Sequence, residues 1–237
     1  MKIKTLALAL GCAAALATTS CNSDAPANNY VYTNIVTVKS IGEGGVTLGI
    51  REIDDSREYT YTTTQTITGE HFKVGNRIVI TYQCTEEDAM ASQPIQIYSA
   101  MPTVGNGGDM GMTTPEMANN WKSDEIDMNM VWRTGEYINV VFTRYTDLKY
   151  EDCYLQADSE TINNEYPDVY LVFREKETGS INQSSYAFYV SYSLKSICDK
   201  PNVKGITLHF NDPNLNEQFV QINKGTLGDD SGMRPQS

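Results

Sequence analysis

Between residues 30 and 222 apolar side chains recur at every second position, and that period of two restricts the fold more than any other feature. Residues 204–210 set Ile206, Leu208 and Phe210 on one side, and residues 137–145 set Ile138, Val140 and Phe142. Residues 168–176 do the same with Val169, Leu171 and Phe173, and residues 185–194 with Phe188, Val190, Tyr192 and Leu194. A strand sends successive side chains to opposite faces, whereas an amphipathic helix needs apolar residues three and four apart. The intervening positions hold Tyr, Ser, Thr and Arg, the pattern of strands with one dry face. The chain is therefore expected to be all-β.

In the first half, runs at 30–40, 46–50, 57–62, 74–82 and 94–99 predict five strands, with turns at Gly42-Glu43-Gly44-Gly45 and Asp54-Asp55-Ser56. Five short strands in this length predict a small closed barrel, OB-like, over residues 30–103. The stretch from 103 to 120, TVGNGGDMGMTTPEMANN, breaks the alternation and reads as a Gly/Met-rich linker, placed at 104–121. Gly105-Asn106-Gly107-Gly108 is no phosphate loop, because that chemistry needs a strand before it, a helix after it and a Lys or Ser/Thr in register. The remaining runs, at 127–133, 137–145, 152–158, 168–176, 185–194, 204–210 and 219–222, predict a C-terminal antiparallel β-sandwich over 122–223. The polar, glycine-rich end, 224–237, is expected to be disordered.

The first 21 residues, MKIKTLALALGCAAALATTSC, set the compartment. Lys2 and Lys4 precede an apolar core that ends in Thr18, Thr19, Ser20 and Cys21, the organisation of an export signal. The core is too short for a resident membrane helix, which needs about 20 residues. Cys21 at the exit resembles the acceptor of a bacterial lipoprotein, where it would carry diacylglycerol and begin the mature chain, with 22–29 as a polar tether. Thr18 stands where that pattern usually has Leu, and Ser20 supplies the small residue before the cysteine. Each buried methylene of an acyl chain contributes about 0.8 kcal/mol, so several chains make a durable anchor. Ordinary cleavage after Ala15-Leu16-Ala17, releasing a soluble protein, is the alternative.

With Lys2 and Lys4 removed, 16 basic residues face 30 acidic ones, a net charge of −14. Such a surface repels nucleic acid and anionic headgroups. Of the exported cysteines, Cys84, Cys153 and Cys198, an odd number, one must stay unpaired within the chain. Cys153 with Cys198 is the favoured disulfide, since both fall in the second half; buried free thiols are the alternative.

The order of parts resembles the NigD-like lipoproteins of Gram-negative anaerobes. The resemblance rests on Phe72-Lys73-Val74-Gly75-Asn76-Arg77-Ile78-Val79-Ile80 in the first half. In the second it rests on the Trp132 strand, the Gly135 turn with Tyr137-Ile138-Asn139, and the runs Tyr189-Val190-Ser191-Tyr192-Ser193-Leu194 and Ile206-Thr207-Leu208-His209-Phe210. It implies a lipoprotein signal, an N-terminal OB domain, a C-terminal β-sandwich and a role in bacteriocin immunity or envelope interaction. It implies no catalytic residues and no cofactor.

The residues themselves carry little chemistry. His71 and His209 read as lone surface histidines, and no nucleophile elbow, zinc pair or Cys-x-x-Cys occurs. Carboxylate groups at Asp54/Asp55, Asp124/Glu125/Asp127 and Glu151/Asp152 sit in turns or at strand ends, where solvated acids are expected. The 15 tyrosines are the richer surplus. Tyr59, Tyr61 and Tyr82 are candidates for a binding surface, since flat rings stack on sugars or anchor proteins. The expected function is a non-enzymatic protein of the cell envelope, lipid-anchored at the outer membrane and facing periplasm or cell surface. Its partner would be an envelope protein or a glycan, and not a nucleic acid. A saccharide-binding accessory lipoprotein is the second reading, and a hydrolase with acids at a domain cleft is the third.

Overall fold

A computed structural model describes residues 29–51, 58–67, 69, 72–85, 94–113, 121–146, 150–175 and 184–224. The chain divides into two compact units, the first ending at Pro102 and the second running from Thr103.

The first unit is one five-stranded sheet made of β1 (Asn29–Gly42), β2 (Gly45–Arg51), β3 (Glu58–Thr63), β4 (Arg77–Thr85) and β5 (Gln96–Pro102). The order is β3-β2-β1-β4-β5, with antiparallel neighbours throughout. The β1–β2 hairpin turns through Gly45, whose φ is +118° and whose missing Cβ would lie 1.9 Å from the Thr63 carbonyl oxygen, so no other residue fits. Register shifts between Val38 and Ser40 and between Thr81 and Tyr82 bend the sheet, as bulges do. Its concave side gathers Val36, Val38, Leu48, Tyr61, Ile78, Ile80 and Tyr82 into one core.

The sequence predicts a closed barrel, and here the structure differs. Among the described residues the edges β3 and β5 meet at one parallel bridge, Thr62 with Pro94, beside an Ile95 N–H donated to Thr62 O at 2.8 Å. Proline has no N–H to continue a ladder. Gln65 takes over with its side chain: Nε2 donates to Ile97 O at 3.0 Å, and Oε1 accepts the Ile97 N–H. The result is a partly open OB-like sheet.

The second unit is a sandwich. One face is the sheet β11-β8-β7, formed by β7 (Asp127–Thr134), β8 (Tyr137–Thr146) and β11 (Ser184–Ser193). The other is β13-β12-β10-β9-β6, from β6 (Gly111–Met112), β9 (Tyr150–Ala157), β10 (Asp168–Glu175), β12 (Gly205–His209) and β13 (Phe219–Asn223). Most pairs are antiparallel, but β10–β12 and β6–β9 are parallel. The first follows from connectivity: after β10 the chain visits the other sheet as β11, then returns through a one-turn helix, α1 (Lys195–Cys198). The positions expected inward all contribute: Ile138, Val140, Phe142, Val169, Leu171, Phe173, Phe188, Val190, Ile206, Leu208 and Phe210 are buried in one core. Phe188 stacks on Phe142 at 5.0 Å and meets Phe173 edge-on at 5.0 Å.

The described part of the glycine-rich stretch, expected to be linker, is knitted into this unit. Val104 bridges Val190, Asp109 bridges Ser193, and Gly107 N–H donates to Ser191 O at 2.9 Å. A second fastening is Asp212, only 3% exposed. Its carboxylate accepts the Met128 N–H at 2.7 Å and the Asn214 N–H at 2.9 Å, tying the start of edge strand β7 to the loop after β12.

Candidate functional site

The three tyrosines nominated as a binding surface face inward, which corrects the sequence reading. Tyr61 and Tyr82 are 2% exposed, and Tyr59 is half-buried against the same core. The Tyr82 ring lies 5.8 Å from Tyr61 and 5.7 Å from Tyr32, and its hydroxyl accepts from Asn34 Nδ2 at 2.9 Å. A tyrosine whose hydroxyl is satisfied can be buried cheaply. The expected disulfide is also corrected: Cys153 and Cys198 are both free. Cys153 lies on β9 and Cys198 in α1, both packed against the core, and burial pushes the Cys153 thiol up to about 12. Cys21, His71, Asp54 and Asp55 lie outside the described residues, as does the side chain of Cys84.

Asp124, Asp127 and Asp152 are spent on structural contacts. Asp124 accepts the Glu175 N–H at 2.7 Å, Asp127 accepts from Asn214 at 3.0 Å, and Asp152 pairs with Arg174 at 3.5 Å. Among the described residues no cluster of His, Cys, Asp and Glu has metal-binding geometry, and no helix is long and apolar enough to cross a membrane.

Two features remain in the second unit. One is a hollow of about 280 Å³ between the β7–β8 turn, α1 and Lys224. Arg133, Lys195 and Lys224 line it with Glu136, Asp199 and Cys198. Lys195 is already bonded to Asp199 at 2.9 Å, and burial raises the Cys198 thiol against the opposing pull of Lys224 and Arg133. At that size it falls just short of the roughly 300–1,000 Å³ of ligand pockets. It is the weaker candidate.

The other is a row of rings across the outer face of the five-stranded sheet. Register places Tyr170 beside His209 and His209 beside Phe219. The Tyr170 and His209 rings stack at 5.0 Å and 26°, Phe219 follows His209 at 6.1 Å, and Trp121 leans on Tyr170 at 5.3 Å. His209 Nε2 lies 2.6 Å from Asp168 Oδ1. Burial, then the carboxylates Asp168 and Asp158, hold the Tyr170 phenol above its ordinary value, so it stays a neutral donor. Strands about 4.8 Å apart bring rings this close only if they stand upright. The inner members therefore present edges and polar tips, and Phe219, 44% exposed at the sheet edge, offers an apolar face. No local pattern announces this row, because Tyr170 and His209 lie far apart in the chain and meet only through the parallel β10–β12 pairing, with Phe219 added by the antiparallel β12–β13 pair.

Residues 110–224 match the family described as NigD-like C-terminal beta sandwich domain. No curated protein matches the sequence. A crystal structure of a protein of unknown function (DUF1344) from Bacteroides vulgatus aligns over 87% of this chain and 96% of its own, at TM-score 0.60 and 17% identity. A NigD-like immunity protein from Bacteroides caccae aligns over 81% of this chain and 91% of its own, at TM-score 0.54 and 19% identity. A putative toxin related protein from Parabacteroides distasonis aligns over 84% and 95%, at TM-score 0.54 and 13% identity. At these identities the structures bear on fold alone. The class is thus an all-β protein whose second unit is a NigD-like sandwich. The likeness to that family covers residues 110–224, just under half of the chain.

Proposed function

We propose that this protein is a lipid-anchored, non-enzymatic component of the cell envelope that binds a macromolecular partner, in a role like that of bacteriocin-immunity proteins. Cys21 carries the anchor. The row Trp121–Tyr170–His209–Phe219, with Asp168 behind it, is the contact surface. The observation that carries this reading is the row itself: an exposed aromatic anchor beside fixed polar tips, the composition that dominates protein-binding surfaces. The match of residues 110–224 to the NigD-like sandwich domain adds support. Two findings weigh against the saccharide reading. The tyrosines it relied on are turned inward, and upright rings offer sugars little face to stack on. The test is pull-down from envelope extracts with the wild-type protein and with Phe219→Ala and His209→Ala. One protein should be enriched by the wild type and lost with both variants. Equal recovery with the variants, or saturable binding to a glycan panel, would refute the proposal.

A further inference from the structure

Among the described residues, the end of the first unit at which β1 begins carries no charged side chain and is partly apolar. Tyr30 and Val31 are each 39% exposed and Tyr98 is 54% exposed. Val31 pairs with Gln83, whose side chain accepts the Tyr98 hydroxyl proton, and Gln83 pairs with Gln96. The outward neighbours are thus neutral amides and hydroxyls. Tyr30 is also firmly mounted, as the rim member of a ring series that passes through Tyr32 (6.3 Å) and Tyr82 (5.7 Å) to buried Tyr61 (5.8 Å).

Position in the chain says what meets this surface. Only residues 22–29 separate Tyr30 from Cys21. Nine extended steps span at most about 30 Å. An acyl group on Cys21 therefore keeps the start of β1 within that distance of the bilayer, while the strand's other end, Gly42, is free to point away. Tyrosine is at home at the lipid–water boundary, where the ring enters and the hydroxyl stays wet. A tether also gives the surface a high effective concentration at the bilayer, so a weak contact suffices.

We infer that the end of the first unit at which β1 begins, with Val31 and Tyr98 on one face of the sheet and Tyr30 at the rim of the other, rests end-on at the lipid–water interface beside its own anchor. The inference rests on lipidation of Cys21. Its lipid is zwitterionic: a mature chain of net charge −14 is repelled by anionic headgroups.

The experiment uses the full-length, membrane-extracted protein in vesicles of phosphatidylcholine and phosphatidylethanolamine, with and without brominated acyl chains. Tryptophan is introduced as Val31→Trp or Tyr98→Trp, two reporters in case one disturbs the fold. Val74→Trp is the control, 62% exposed in a turn whose Gly75 N–H bonds Val38 O, seven residues along β1 from Val31. The wild-type signal of Trp121 and Trp132 is subtracted, and the N-terminal mass is read first. Brominated lipid should quench the added emission at least two-fold at position 31 or 98 and leave position 74 unchanged. An acylated protein with no quenching, or equal quenching at all positions, overturns the end-on contact while the anchor stands. A mass without acyl chains overturns the anchor and the contact together.

Discussion

Replacing Asp212 by alanine removes the acceptor for a buried N–H group, that of Met128, and for the part-buried N–H of Asn214. A hydrogen bond to a charged acceptor contributes about 1.5–3 kcal/mol, and a buried donor left unmade costs on the order of 1–3 kcal/mol. Relief of the carboxylate's own burial offsets part of this. The net loss for Asp212→Ala should be about 2–3 kcal/mol, a large part of the roughly 5–15 kcal/mol that holds a domain. At about 4 °C per kcal/mol for a unit of this size, melting should fall by roughly 8–12 °C. Asp212→Asn keeps one acceptor oxygen and should lose about half as much. Asp127→Ala, which removes an exposed bond to Asn214, should cost under about 1 kcal/mol. Urea unfolding followed by Trp121 and Trp132 fluorescence, with m unchanged, measures all three. A loss below about 1 kcal/mol for Asp212→Ala, or equal losses for Asp212→Ala and Asp127→Ala, would refute the view that this carboxylate fastens edge strand β7.

Gln65→Ala should remove the amide that joins β3 to β5, lowering stability by about 1 kcal/mol and speeding amide exchange at Ile97 well above that at Ile80. A thiol reagent at pH 8 should leave Cys153 unmodified for hours and modify it at once in denaturant, since burial raises its pKa from 9.0 to about 12. The same shift has a sign: above pH 9 the unfolded chain loses the thiol proton first, so stability falls as pH rises from 9.0 to about 12, and Cys153→Ala should flatten that fall in alkaline urea titrations. Phe219→Ala should change stability by less than about 1 kcal/mol yet abolish partner recovery, because the ring is half-exposed at a sheet edge.

The strands were legible because burial on one side forces the period of two. Ile138, Val140 and Phe142 could be assigned inward from spacing alone, and they are fully buried. Spacing cannot orient β3, where threonines and tyrosines of similar polarity alternate, and only packing turns Tyr61 inward. Residues 103–113 hid their pairing because Gly105, Asn106 and Gly107 all have positive φ and break the alternation where the chain rides along β11. Barrel closure is not legible in the sequence because the β3–β5 seam depends on a side chain, Gln65, acting where Pro94 cannot. The ring row was invisible for a topological reason, since no local pattern announces that β10 and β12 run parallel.

The most direct test of the envelope-anchored account is the intact mass and N-terminal peptide of the mature protein extracted from membranes. The account expects a chain that begins at Cys21 and carries diacylglycerol. A soluble, unmodified chain beginning at Thr18, after the Ala15-Leu16-Ala17 site, would contradict it.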